Sequence, residues 1–243
     1  MSTATLSADE LALYTVLTEQ KPATIAEVIA KMQAIDDLLA NGDGLKWFNR
    51  LYLMVTQQVD LQPPGGGWKS PVWLTQLDVT FANLYFTAVA DYLVGGTVAS
   101  SWKALFEARF VVGIDRVQFA LAGMNAHINH DLALALLVTD AEMGIVPSLT
   151  SAEYADYESV NTLLNLVMPA ALTMLAVDTL GVLAEDTGKA GRVLAYWNMC
   201  QARDLAWNFA DHLRGLAGPV RNAALDAQDG LTGALGRAIL MAA

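Results

Sequence analysis

His127 and Asp131 are the residues of this 243-residue chain best spaced for proton transfer. They stand four apart in the run Asn125-Ala126-His127-Ile128-Asn129-His130-Asp131, and an apolar stretch from Leu132 to Val138 follows. Residues four apart on a helix are neighbours, so the carboxylate reaches the imidazole. That pairing fixes the histidine tautomer, is expected to raise its pKa, and equips it as a general base or acid near neutral pH. His130, three residues beyond His127, flanks the same pocket on this reading. The chemistry implied is movement of a proton α to a carbonyl, with no cofactor. A metal-dependent hydrolase built on His127, His130 and Asp131 is an alternative, because imidazole with carboxylate suits Zn, Fe or Mn. The run lacks both the HExxH spacing and the paired Glu-x-x-His motifs of di-iron bundles, so no metal ligand is assigned. A structural reading also exists, in which Asn125 or Asn129 caps a helix start and Asp131 sits in its first turn.

Other polar side chains fall among apolar ones at helical spacing. Asn49, Tyr52 and Thr56 form one stripe, and Asp78 and Tyr85 lie two turns apart with Asn83 nearby. Arg203 and Trp207 lie four apart, beside a stripe of Trp197, Gln201, Asp204 and Asn208. Gathered around a His–Asp pair, such groups make an aromatic-lined pocket with a few hydrogen-bonding partners. Tyr52 joins His127 and Asp131 as a catalytic candidate, stabilising a developing enolate with Asn49, Asn125 or Arg203. Asn129, His130, Tyr85 and Trp207 complete the substrate-binding set. His212 follows Asp211 near a helix end, and Cys200 lies in an apolar helical context, so both read as structural.

The elements that must position these groups are helical. Ser7 with Glu10 has capping-box spacing, and a second helix is predicted from about Thr24 to Ala40, where Asn41-Gly42-Asp43-Gly44 stops it. A third starts near Leu45 and ends before the loop Pro63-Pro64-Gly65-Gly66-Gly67. Ser70-Pro71 supplies a cap and a first-position proline for a long helix to Leu93. Shorter helices are expected at Ser101–Arg109 and Asp115–Gly123, then a longer one from about Ala126 to Met143. Thr150-Ser151 opens another, and breaks are expected at Gly188, Gly218-Pro219 and Gly230. Several of these helices are apolar on more than one face, as buried helices are, so we expect an all-α, single-domain bundle of about 8–10 helices with buried central members.

Composition narrows function less than fold. The chain is 54% hydrophobic and 16% charged, with 25 acidic against 14 basic side chains and a net charge of −11. Such a balance excludes intrinsic disorder, and the acid excess without clustered Lys and Arg argues against nucleic acid. One cysteine allows no intramolecular disulfide. The stretch Ser159–Val177 is uncharged and approaches the ~20 residues that span a bilayer. Asn161, Thr162, Asn165 and Thr173 punctuate it, Pro169 interrupts it, and no basic cluster flanks it, so it reads as a buried central helix. No signal peptide, nucleophile elbow, P-loop or dinucleotide fingerprint is visible. A cytoplasmic protein acting on a small molecule, without membrane insertion and with a homodimer left open, is the expectation.

The segments Gly42-Asp43-Gly44-Leu45-Lys46-Trp47-Phe48-Asn49-Arg50-Leu51-Tyr52, Leu77-Asp78-Val79 and Gln118-Phe119-Ala120-Leu121-Ala122-Gly123-Met124-Asn125-Ala126-His127-Ile128-Asn129 resemble a bacterial family known only as a domain of unknown function. Phe81-Ala82-Asn83-Leu84-Tyr85-Phe86, Tyr154-Ala155-Asp156-Tyr157 and Ala202-Arg203 extend the similarity over most of the chain. The resemblance implies an all-helical protein, and some members look like tailoring proteins of secondary-metabolite pathways. His130 departs from the pattern, which often has Arg there. Taken together, the residues and the resemblance lead us to expect a cofactor-free cyclase or dehydratase acting on an apolar, polyketide-like molecule. A non-catalytic small-molecule-binding bundle is the further alternative.

Overall fold

Local capping signals mark several helix starts in the computed structural model, which describes residues 6–61, 63, 65–176 and 198–241. Among these the chain is all helical, without a strand. Helices α1 (Ala8–Thr18) and α2 (Ile25–Leu38) each open on a capping box, Ser7 with Glu10 and Thr24 with Glu27. These reciprocal bonds satisfy amide groups that a helix start otherwise leaves unpaired. Helix α3 (Gly44–Leu61) follows the Asn-Gly-Asp turn, and α4 (Pro71–Leu93) begins on its proline. Ser70 does not cap α4 as expected. Its hydroxyl donates to Glu153 at 2.8 Å and its amide to Asp156 at 2.6 Å, so the loop is held from another helix instead.

After α5 (Ser100–Ala108), the expected break between Gly123 and Ala126 is absent. Helix α6 (Arg116–Ala126), a π-helical turn (His127–Asp131) and α7 (Leu132–Met143) form one continuous rod. In the turn the Leu132 amide donates to the His127 carbonyl, five residues back. No helix starts at this point, so Asn125 and Asn129 have no capping role and Asp131 no first-turn role. Gly144 ends α7 with φ +66°, a left-handed cap that suits glycine. Helices α8 (Ala152–Ala176), α9 (Met199–Arg214) and α10 (Gly218–Met241) complete the bundle. Gly230 lies within α10 rather than at a break, while Gly188 and Trp197 lie outside the described residues.

The rod is the centre of the bundle. Every residue from Val117 to Ala126 is buried. Helices α3 and α10 pack on α6, and α4 and α9 pack on α7. Helix α8 is not central. It buries Leu163, Leu164 and Val167 but exposes Thr162, Asn165, Leu166 and Pro169, so the described part of the uncharged run belongs to an outer helix with one face buried. No helix among the described residues is long and apolar enough to cross a membrane. Two fully buried tryptophans brace the rod. Trp73 of α4 donates its indole N–H to Asp140 at 2.8 Å, and Trp102 of α5 donates to Asp131 at 2.9 Å.

Close approach of α3 to α6 depends on Gly123. A Cβ built there would lie 2.3 Å from Cγ of Phe48, at the root of a ring fixed by its own helix. Gly123→Ala is therefore expected to lower stability by about 1–3 kcal/mol, the usual cost of overpacking a core. Urea unfolding measures this, and an unchanged midpoint would show that the α3–α6 contact is softer than its geometry indicates.

Candidate functional site

Asp131 lies at the end of the π turn, 3% exposed, with both oxygens in use. His127 Nδ1 stands 3.0 Å from Oδ2, where the Trp102 indole also donates, and His130 Nδ1 stands 2.8 Å from Oδ1. Burial alone would push this carboxyl up. Its bonds with His127 and His130, and the attraction of those rings, outweigh burial and hold it below its ordinary value. The carboxylate is thus a fixed negative charge that accepts N–H from both histidines.

The two histidines respond in opposite directions. His127 has no exposed surface, and burial lowers its pKa despite the Asp131 hydrogen bond and charge. This reverses the expectation that the pairing raises it, because five aromatic side chains exclude the water that would solvate an imidazolium. Phe81 stacks on its ring at a centroid distance of 3.5 Å and an interplanar angle of 6°. Tyr52 meets it edge-on at 4.5 Å, with Phe48, Trp102 and Tyr85 at 5.7, 5.9 and 6.2 Å. His130 is partly exposed. Desolvation pulls it down, yet the bond to Asp131 and the charges of Asp131 and Asp229 outweigh that and raise it. Its Nε2 lies 3.8 Å from Oδ1 of Asp229, whose carboxylate also accepts the Ser100 and Ser101 amides at the start of α5.

Neutral His127 with its Nδ1 proton on Asp131 leaves Nε2 as a lone-pair acceptor. That atom is buried and has no hydrogen-bond partner. The His127 ring is also part of the wall of a cavity of about 40 Å³, shared with Tyr52, Thr56, Asp78, Phe81 and Arg203. Tyr52 is pushed well above the ordinary phenol value by burial, then by the charges of Asp78 and Asp131, so its hydroxyl keeps its proton. Arg203 is held by Asn161 and the Tyr157 carbonyl at 2.8 and 2.7 Å, its guanidinium 4.1 Å above the Tyr157 ring. Asp78, one turn before Phe81 on α4, has a sealed Oδ2 without a partner, and burial raises its carboxyl to about 7 against the pull of Arg203.

The remaining sequence-assigned residues lie elsewhere. Asn49 donates to the Met32 carbonyl at 2.9 Å and accepts from the Tyr85 hydroxyl at 3.3 Å, which ties α2, α3 and α4 together. Asn125 donates to the Thr232 carbonyl and accepts from Asn129, whose own carbonyl accepts from Gln228, so both asparagines fasten the rod to α10. Trp207 packs with Trp73, Tyr154 and Tyr157. Cys200 is half-buried rather than buried, and desolvation raises its thiol, which leaves it unsuited to nucleophilic attack. Trp102 and Asp229 carry no distinguishing sequence signal, and Phe81 stands in a segment of the family resemblance without being singled out there. No group of three or more His, Cys, Asp or Glu side chains among the described residues is arranged to hold a metal ion.

Fold and site together define an all-helical protein whose central rod carries a buried carboxylate flanked by two histidines. A family model described as a family of unknown function (DUF5995) matches residues 25–242, and the chain belongs to that family. Comparisons with curated proteins and with solved structures find no match.

The raised pKa of His130 carries a sign. Its contribution to stability is complete below the ordinary histidine value of about 6.5 and is lost as pH rises through the higher folded value. His130→Gln should therefore cost more stability near pH 6 than near pH 9, read as the difference in thermal midpoint from wild type. A cost independent of pH would contradict the ion-pair assignment.

Proposed function

We propose that this protein is a cofactor-free acid–base enzyme of the cyclase or dehydratase type, with His127 as its base. The observation that carries the reading is the unpartnered, buried Nε2 of a histidine whose other nitrogen is held by an ionised aspartate. A lone pair kept from water and oriented by a fixed carboxylate suits abstraction of a proton α to a carbonyl. Asp131 steadies the imidazolium that forms, and the protonated hydroxyl of Tyr52 donates to the developing enolate oxygen. With His127, His130 helps hold Asp131 ionised, and it takes no part at the reacting carbon.

Cavity size refines the substrate. About 40 Å³ holds roughly one to three water molecules, far below the ~300 Å³ at which pockets for drug-sized ligands begin. A carbonyl and its α-carbon enter such a space, while the body of a polyketide-like molecule would remain outside or require the helices to part. The same observation favours a second reading, in which His127 and Asp131 form a structural clamp with no turnover.

Proton exchange separates the two. In deuterated buffer the wild-type protein should exchange the α-protons of acetaldol, followed by proton NMR, and His127→Ala should slow exchange by about 10²–10⁴-fold. Equal rates in both proteins, with the variant folded, would leave the clamp as the function of the pair.

A further inference from the structure

Asp78 and His127 approach one cavity from different elements. Asp78 belongs to α4 and precedes by one turn Phe81, the residue stacked on His127. Residues three apart share a helix face, so the carboxyl and the stacked ring present themselves on the same side of α4. Tyr52 of α3 lies in the same wall, near enough for the charges of both Asp78 and Asp131 to act on it. Each of the two ionisable groups also has one buried atom without a hydrogen-bond partner, Oδ2 of Asp78 and Nε2 of His127. Buried polar atoms are rarely left unpaired, so two such atoms in residues that line one cavity single it out as a candidate binding site.

We infer that Asp78 is the acid opposite His127 and that the substrate is a β-hydroxycarbonyl compound, dehydrated in this cavity. This rests on the reading of His127 as a base. His127 Nε2 takes the α-proton, and the C–H electron pair becomes the carbon–carbon double bond of an enolate. As the enolate re-forms the carbonyl, the β-carbon–oxygen bond breaks and the leaving oxygen takes the Asp78 proton to depart as water. One proton has then moved from Asp78 to water and one from carbon to His127. Return of the His127 proton to Asp78, along Tyr52 or through solvent, restores both groups. Substrate is converted to an unsaturated carbonyl compound plus water, with no oxidant, reductant or metal in the balance. Environments that drive a histidine towards neutrality and a carboxyl towards protonation assign base and acid in this way. The other charged group of the wall, Arg203, opposes protonation of Asp78 without forming a salt bridge to it among the described residues.

Acetaldol tests both steps at once, since its α-exchange reports the base and its conversion to crotonaldehyde reports base and acid together. In wild type both occur. Asp78→Asn should keep exchange within about threefold and lower the crotonaldehyde rate at least ~10²-fold. Asp78→Glu, which keeps an acid, should retain elimination, and Asp78→Ser replaces the asparagine variant if that protein does not fold. Exchange with unimpaired elimination in Asp78→Asn overturns the acid assignment alone. Loss of both reactions in a folded Asp78→Asn overturns the division of roles between the two groups. Absence of exchange in wild type overturns the reading of His127 and this inference with it.

Discussion

The buried charge of Asp131 is the constraint to which the surrounding structure answers. Withdrawing a carboxylate from water costs several kcal/mol even after relaxation. Three N–H donors meet it, from His127, His130 and Trp102, and hydrogen bonds to charged groups contribute about 1.5–3 kcal/mol each. The two quantities are of the same order, so the charge is held only while all three donors stay in place. Two features place these donors: the π turn carries both histidines, and α5 carries the indole. Asp229 of α10 accepts the first amides of α5 and faces His130, so the C-terminal helix secures both sides of the arrangement.

The π turn explains why an otherwise regular rod can hold this cluster. A hydrogen bond reaching five residues back widens the helix locally and shifts the phase of everything beyond it. His127 faces α3 and α4, where the aromatic rings are. Asp131, four residues on, still reaches His127 and also meets α5. π turns of this kind recur at functional sites, where a small loss of helical regularity is offset by side-chain placement. Here the offset is the network on Asp131.

The sequence makes the elements legible wherever the controlling chemistry is local. Ser7 with Glu10, Thr24 with Glu27 and Pro71 mark helix starts by interactions within four residues, and each starts where its spacing indicates. The His127–Asp131 contact is local too, and its four-residue spacing exposes it. What the chain hides is set at a distance. The Trp102 bond crosses 29 positions, and the pKa of His127 depends on rings contributed by α3, α4 and α5. Pairing with a carboxylate therefore suggests a raised histidine, whereas the enclosing aromatics lower it. Asn49, Asn125 and Tyr85 look like site residues for a related reason. A buried amide or phenol must find a partner, and these find theirs on neighbouring helices rather than in the cavity.

Electrostatic economy explains why the two histidines, three residues apart, differ in behaviour. A single carboxylate in a dry interior supports one extra positive charge far more readily than two, since like charges that close repel strongly at low dielectric. His130, nearer solvent and facing a second carboxylate in Asp229, is the ring on which that charge is cheapest. Burial among the aromatic rings, rather than the charge on its neighbour, disfavours a second proton on Nε2 of His127. Its lone pair is then available in a wall of aromatic carbon, beside the one carboxyl of that wall that burial drives towards protonation. The outer histidine thus carries the charge that Asp131 and Asp229 favour, while the inner one is kept neutral by its burial.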